Sequence, residues 1–388
     1  MTKPFRVPRS RAAQTHQALR DEIMAALEPI LFDDYRSSYK TRAEFEAAFA
    51  SEMTQRHAIA AHSGTIALLL ALRACGVGPG DEVITVGNSD ISTTGAISQC
   101  GAVPVFCDVT RSDYTIDVDQ VDNLITAATR AILPVDLHGH PANVKALRPL
   151  ADQYGLKIVE DAALASGACD HGAPVGAFAD VAMFSFAPFK PLGSAGNGAV
   201  LVTNDDSLAD ELRLLVSYGH VPTPIERRNV QGGALPPGYQ NYVAEGYNVP
   251  LDGLQAALLL VKLPYLGQWT RQRRAIVSRL EAGLADTSAR LPRFRAASQP
   301  TFRSYAIAVD RQQALYQGLR AAGVEAVIHY APPIYDYAVY AGMFPNRDSL
   351  SVTERLAGEI VNLPVTPELT CDDVDYMIDV TRKLLNDD

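Results

Sequence analysis

The chain has 388 residues, of which 47% are hydrophobic and 20% charged, with a formal net charge of −10. That composition is ordinary for a globular protein, and the length sets an expectation of about two to three domains. The acidic balance argues against nucleic acid or an anionic membrane as partner, because both recruit basic surface; no stretch reaches the roughly 18 apolar residues of a membrane span.

In chain order, Met1–Arg6 carries no apolar leader segment. A first helix is expected over Arg11–Leu31, packed outside the main sheet. From about residue 57 to 205 short apolar runs alternate with amphipathic segments. Strands are expected at Glu82–Val86, Val103–Val109, Ala131–Leu137, Leu156–Glu160, Val181–Phe186 and Ala199–Thr203. Helices are expected at Thr65–Cys75, Ser92–Cys100, Val118–Thr126 and Asn143–Tyr154; the last carries Val144, Leu147, Leu150, Ala151 and Tyr154 at helical spacing. Such alternation, with β-branched strands, implies a mainly parallel sheet covered by helices on both faces. Gly76, Gly78, Pro79 and Gly80 punctuate the first helix-to-strand turn.

Residues 217 to 247, rich in Pro, Gly and aromatics, read as a long loop of the functional or interfacial kind. A helical pattern resumes near Leu251 and runs past Leu280. Beyond it, strands are expected at Arg303–Val309 and Glu325–His329, and helices at Arg311–Ala321, Val352–Gly358 and Cys371–Asn386. The reading is a large domain over residues 1–255 and a smaller α/β domain over 256–388. The basic run Arg271–Arg274 is expected to be a solvated helix face or a subunit contact. The cysteines (Cys75, Cys100, Cys107, Cys169, Cys371) are odd in number and form no CxxC pair, which suits free thiols in a reducing cytoplasm.

The chemistry gathers after the strand candidates. Asp161 ends the apolar run Leu156–Glu160, at the edge where parallel sheets face ligands. Ser185 and then Lys190 follow the run Val181–Phe186. Lys190 sits among Pro188, Phe189, Pro191 and Leu192, a desolvating loop that suits an amine used covalently. His62-Ser63-Gly64-Thr65 opens an apolar helix, whose N–H groups serve either as a plain capped start or as an anion cup. An amine, a carboxylate and hydroxyl or backbone donors are the three groups pyridoxal phosphate requires. His138-Gly139-His140 lacks the nearby ligands of a metal site, so no metal is expected. The G-x-G-x-x-G and P-loop patterns are missing.

At these residues the chain resembles the DegT/DnrJ/EryC1/StrS family, the sugar aminotransferases of pyridoxal-phosphate fold type I. The landmarks are Ser63–Leu68, Gly78–Ile84, Leu137–Ala142, Glu160–Ala163, Phe184–Lys190, Gly246–Asn248, Leu254–Ala257, His329-Tyr330 and Leu363–Val365. The resemblance implies an α/β fold whose mainly parallel seven-stranded sheet lies between helices, with the smaller C-terminal α/β domain beside it. By it Lys190 is the lysine joined to the cofactor and Asp161 the partner of the pyridinium nitrogen. Gly64, Thr65 and Ser185 would hold the phosphate, and Asn248 would reach the cofactor of the neighbouring subunit in a homodimer. The dehydratase branch of the family carries histidine in place of this lysine, so Lys190 favours transamination.

Three positions depart from the family pattern. Asp90 stands where an aromatic usually stacks on the cofactor ring, Leu164 where His or Gln usually follows the aspartate, and Pro250 where an arginine usually follows the asparagine. Asp90 is expected to contact an amino or hydroxyl group of the substrate. The implied activity moves an amino group from glutamate or glutamine to a keto-sugar, commonly nucleotide-linked, or to a ketocyclitol, in an antibiotic or glycan pathway. Tyr35 and Tyr39 are candidate pocket contacts. The alternatives are a lyase or dehydratase using the same cofactor, and a non-catalytic cofactor-binding regulator.

Overall fold

The computed structural model describes residues 4–220, 242–343 and 350–386. Three helices, α1 (Ala12–Ala18), α2 (Arg20–Phe32) and α3 (Arg36–Glu52), precede β1 (His57–Ala61). The alternating region runs α4 (Gly64–Ala74), β2 (Glu82–Val86), α5 (Ile91–Gln99), β3 (Val103–Cys107), α6 (Val118–Val121), β4 (Thr129–Ile132), α7 (Val144–Tyr154) and β5 (Lys157–Asp161). After the short strands β6 (Cys169–Asp170) and β7 (Ala173–Pro174) come β8 (Val181–Ser185), β9 (Ala199–Thr203) and α8 (Asp206–Val216). The remainder is α9 (Gly253–Lys262), α10 (Leu266–Leu284), β10 (Ser298–Gln299), β11 (Ser304–Ala308), α11 (Gln312–Ala321), α12 (Ser351–Glu359), β12 (Ile360–Pro364) and α13 (Cys371–Asn386). No helix among the described residues is long and apolar enough to cross a membrane.

Seven strands form the main sheet in the order β1-β9-β8-β5-β4-β2-β3. From β8 to β3 all neighbours are parallel, and β9 runs antiparallel to both β8 and β1. Side chains alternate across the sheet as strand geometry requires. Val181 and Met183 of β8 enter the core beneath α4, α5 and α8, while Ala182 and Phe184 enter the core beneath α3 and α9. Ser185 therefore lies on the α4 side. On the opposite side Phe49 of α3 packs its ring 5.3 Å from Phe184 and 5.4 Å from Phe186, edge to face. A third core, with Val7, Leu280, Tyr305 and Met377, lies around the antiparallel pair β11 and β12 and helices α10, α11 and α13. Asp108, just after β3, ties the main sheet to α12 by accepting from the N–H groups of Val352 and Thr353 at its start.

Several expectations need correction. The N-terminal helix is two helices broken at Leu19 (φ −102°), a break that neither Gly nor Pro announces. Strand β4 stops at Ile132, before Pro134, instead of running to Leu137. The helix expected over Val118–Thr126 gives way after one turn to a 3-10 turn at Asp122–Leu124. The long helical pattern after Leu251 is interrupted at Leu263–Tyr265, where Pro264 cannot donate to the helix ladder.

Glu325–His329 is not a strand: Val324 bridges Val7 and Val327 bridges Asn362 as isolated pairs. The partner of β11 is Ile360–Pro364 instead, whose Asn362 hides the apolar pattern yet is fully buried. Strand β1 went unread because His-Ala-Ile-Ala-Ala holds a single β-branched residue. Within the basic run, Arg273 is buried and donates to the Pro191 carbonyl at 3.3 Å, so that face is not wholly solvated. Of the loop read over 217–247, residues 221–241 lie outside the described residues.

Phe49 is fully buried against the strand that leads to Lys190. Phe49→Ala is expected to cost about 3–5 kcal/mol, read as a lower urea midpoint with unchanged slope.

Candidate active site

Parallel strands bring the polar groups to one edge of the sheet. Asp161, the last residue of β5, is in register with Met183 of β8, so Ser185 lies just beyond it. β1 leads through His62 and Ser63 into α4, and β2 leads through Asn88–Asp90 into α5. These carboxyl ends surround a cavity of about 320 Å³, the crevice where open α/β sheets bind ligands. Gly64, Thr65, Asp90, Asp161, Ser185 and Lys190 all line it. Asn248 does not: its backbone pairs with Ser217, and it lines a separate open depression with Tyr35, Tyr39 and Pro250. Leu164 lines the main cavity.

Asp161 is buried and held by two donors. Its Oδ2 accepts from the Thr93 hydroxyl at 3.0 Å, and its Oδ1 from the Ala163 N–H at 3.2 Å. Ser89 hydrogen-bonds Thr93 at 2.9 Å and so steadies the carboxylate from behind. Burial pushes the Asp161 carboxyl above the usual range, against the pull of the Lys190 charge and the two donors. Lys190 follows a turn in which its N–H donates to the Ala187 carbonyl at 2.9 Å. Desolvation pushes its amine down to about 8, opposed by Asp161. The loop closes tightly at Gly193, where a Cβ would come within 2.6 Å of the Pro188 carbonyl oxygen.

The start of α4 carries no side-chain cap. Ser63 is extended (φ −158°, ψ 158°) and its hydroxyl makes no capping hydrogen bond, which leaves the first N–H groups for a ligand. A Cβ at Gly64 would lie 3.4 Å from both the Met183 sulfur and the Ser185 hydroxyl oxygen, which places the start of α4 directly against the end of β8. Asp90 caps α5, its Oδ1 accepting from the Ser92 N–H at 2.9 Å and the Ser92 hydroxyl at 2.7 Å.

His138 and His140 each engage Nδ1, while the Nε2 of each is buried without a hydrogen-bond partner among the described residues. Asn362 donates to His138 Nδ1 at 3.0 Å, because its own oxygen accepts from the His329 N–H; His138 therefore carries its proton on Nε2. His140 Nδ1 meets the Asp113 carbonyl at 3.1 Å.

Sequence reading missed Arg9, Thr93 and Arg303 of the site, and singled out Tyr330 only as a family landmark. Thr93 was legible as the residue facing inward one turn into α5. Arg303 was legible as the one charge entering the apolar run Tyr305–Val309.

The cavity thus offers an uncapped helix start, a hydrogen-bonded buried carboxylate and a desolvated amine, a set that fits pyridoxal phosphate. The profile of the DegT/DnrJ/EryC1/StrS aminotransferase family matches residues 17–382. The chain is 38% identical over 97% of its length, and 96% of the relative, to the dTDP-3-amino-3,4,6-trideoxy-alpha-D-glucose transaminase of Streptomyces venezuelae. It is 33% identical, over 100% of both chains, to the UDP-N-acetyl-3-dehydro-alpha-D-glucosamine 3-aminotransferase of Acidithiobacillus ferrooxidans. The X-ray structure of S. venezuelae DesV in complex with a ketimine intermediate superposes with a TM-score of 0.89 at 36% identity, covering 99% of both chains. The chain belongs to the DegT/DnrJ/EryC1/StrS aminotransferase family and is a pyridoxal-phosphate-dependent aminotransferase.

The low Lys190 pKa has a testable sign. Between about 8 and the ordinary 10.5 the unfolded amine binds a proton that the native one has released. The group therefore disfavours the native state at neutral pH, and this penalty is relieved as pH rises through that window. Cofactor-free wild type is expected to gain stability relative to Lys190→Met from pH 8 to 10, measured by urea titration. A difference independent of pH would contradict the assignment.

Proposed function

We propose that this aminotransferase moves an amino group from glutamate or glutamine onto the C3 carbonyl of a nucleotide-linked keto-hexose. The observation that carries the reading is the convergence of the Lys190 amine, the Asp161 carboxylate and the open start of α4 on one cavity. The choice of C3 is supported by two relatives, both named for amination at that position of a nucleotide-linked sugar.

When bound, pyridoxal phosphate supplies the aldehyde that takes up the donor nitrogen and the ring that accepts the electrons of a broken C–H bond. Gly64, Thr65 and Ser185 would hold its phosphate. Asp161, oriented by Thr93 and Ala163, would face the ring nitrogen and keep a proton there. Lys190 is the proton carrier: its Nζ removes the proton from the carbon bearing the amino group and returns it on the other side of the transfer. With a pKa near 8 that amine is largely ready to accept a proton at mildly alkaline pH. Asp90, whose Oδ1 is fixed by Ser92, offers a contact for a hydroxyl or amino group of the substrate.

We further propose a cytoplasmic homodimer serving antibiotic or glycan assembly. Asn248 lies outside its own chain's cavity, in a depression it shares with exposed Leu31 (54%) and Tyr35 (74%). A second copy seated there would bring the asparagine to the partner's site.

Glutamate alone is expected to bleach the yellow holoenzyme, and 3-keto nucleotide sugars to restore the colour faster than 4-keto ones. Failure of every keto-sugar would refute the assignment. Lys190→Ala is expected to lower kcat by about 10²–10⁴-fold.

A further inference from the structure

One buried charge in the cavity makes no ion pair among the described residues, with Glu325 acting on it only at longer range. Arg303 enters just before β11, anchored by its N–H to the His138 carbonyl at 2.8 Å. The residue is 7% exposed and its Nε is buried without a hydrogen-bond partner. Among the described residues its guanidinium makes no ion pair and no hydrogen bond. A buried unpaired guanidinium is costly, and proteins keep one where a ligand completes it. Burial, Arg9 and Arg273 pull its pKa down to about 9, so it stays cationic at neutral pH.

Arg9 reaches the same wall of the cavity. Val7 bridges Val324, and the Arg9 N–H donates to Glu325 Oε2 at 2.9 Å, which pins this end of the chain. The Phe189 ring is the common neighbour: the Arg9 guanidinium lies 5.1 Å from its centroid, that of Arg303 5.5 Å, and Lys190 Nζ 5.7 Å. Three cations, Arg9, Arg303 and Lys190, thus face two carboxylates, Asp90 and Asp161. The histidines add no charge at neutral pH, because burial lowers His138 well below its usual value and His329 to about 4. With the start of α4 given to the cofactor's phosphate in the reading above, the two arginines call for a second anion. A guanidinium fork pairs best with a planar carboxylate.

We propose that Arg303, assisted by Arg9, is a carboxylate-binding subsite that positions a substrate carboxylate beside Lys190. This deepens the aminotransferase reading and rests on it for the substrate's role, but the subsite binds without turnover. The carboxylate comes from the amino-acid donor or from a carboxylated sugar acceptor.

The test is calorimetric titration of wild-type holoenzyme with succinate, which cannot react, beside single-turnover rates in each half-reaction. Wild type is expected to bind succinate, Arg303→Gln roughly 30-fold or more weakly, and Arg9→Gln about fivefold weakly. Bound cofactor and melting temperature should stay as in wild type. Should Arg303→Gln fail to fold, Arg303→Lys, which keeps the charge and loses the fork, must still bind succinate about tenfold weakly. Loss confined to glutamate conversion assigns the donor carboxylate, and loss confined to a keto-uronate acceptor assigns the acceptor; both support the subsite. Succinate binding without any glutamate conversion would leave the subsite standing and sink the transaminase reading. Equal succinate affinity in wild type and variants, no binding by wild type, or a site that takes only inorganic phosphate would overturn the proposal.

Discussion

The site depends on bringing an ammonium and a carboxylate to the walls of one cavity, where each feels the charge of the other. Desolvation works against both charges, raising the Asp161 carboxyl and lowering the Lys190 amine, and each partly rescues the other. Such a pair persists only if the surrounding chain fixes it, because a misplaced member would be neutralised or drawn to solvent. The two hydrogen bonds to Asp161 and the closed turn before Lys190 do this fixing.

That rigidity is inherited from the sheet. The parallel register of β5 and β8 sets Asp161 beside Met183 and leaves Ser185 facing α4. The aromatic cluster of Phe45, Phe49, Phe184 and Phe186 locks the other side of β8 as it turns toward Lys190. Removing water around the amine keeps it from full protonation, and the same dryness strengthens every charge contact in the cavity. The chain beyond α10 contributes Arg303, His329 and Tyr330, so the cavity is lined by residues far from Lys190 in sequence.

Much of this was legible in the sequence, for identifiable reasons. The ends of β5 and β8 were marked by apolar runs closing on Asp161 and Ser185, and a lysine among prolines stands out against the usual solvated lysine. What stayed hidden depends on long-range pairing. Ile360–Pro364 pairs with β11 only because Asn362 finds Ser304, His138 and the His329 N–H inside the core. Glu325–His329 looked like that partner by composition, yet its backbone serves Val7 and Asn362 singly. Arg303 lies more than a hundred residues from Lys190 in the chain, and only the fold puts both against Phe189.

The proposed chemistry requires a covalent bond between the cofactor and one side chain, that of Lys190. Borohydride reduction of the resting holoenzyme, followed by peptide mapping, reads it directly. The expected result is a single phosphopyridoxyl label on the peptide carrying Lys190; a label on another lysine, or none, would contradict it.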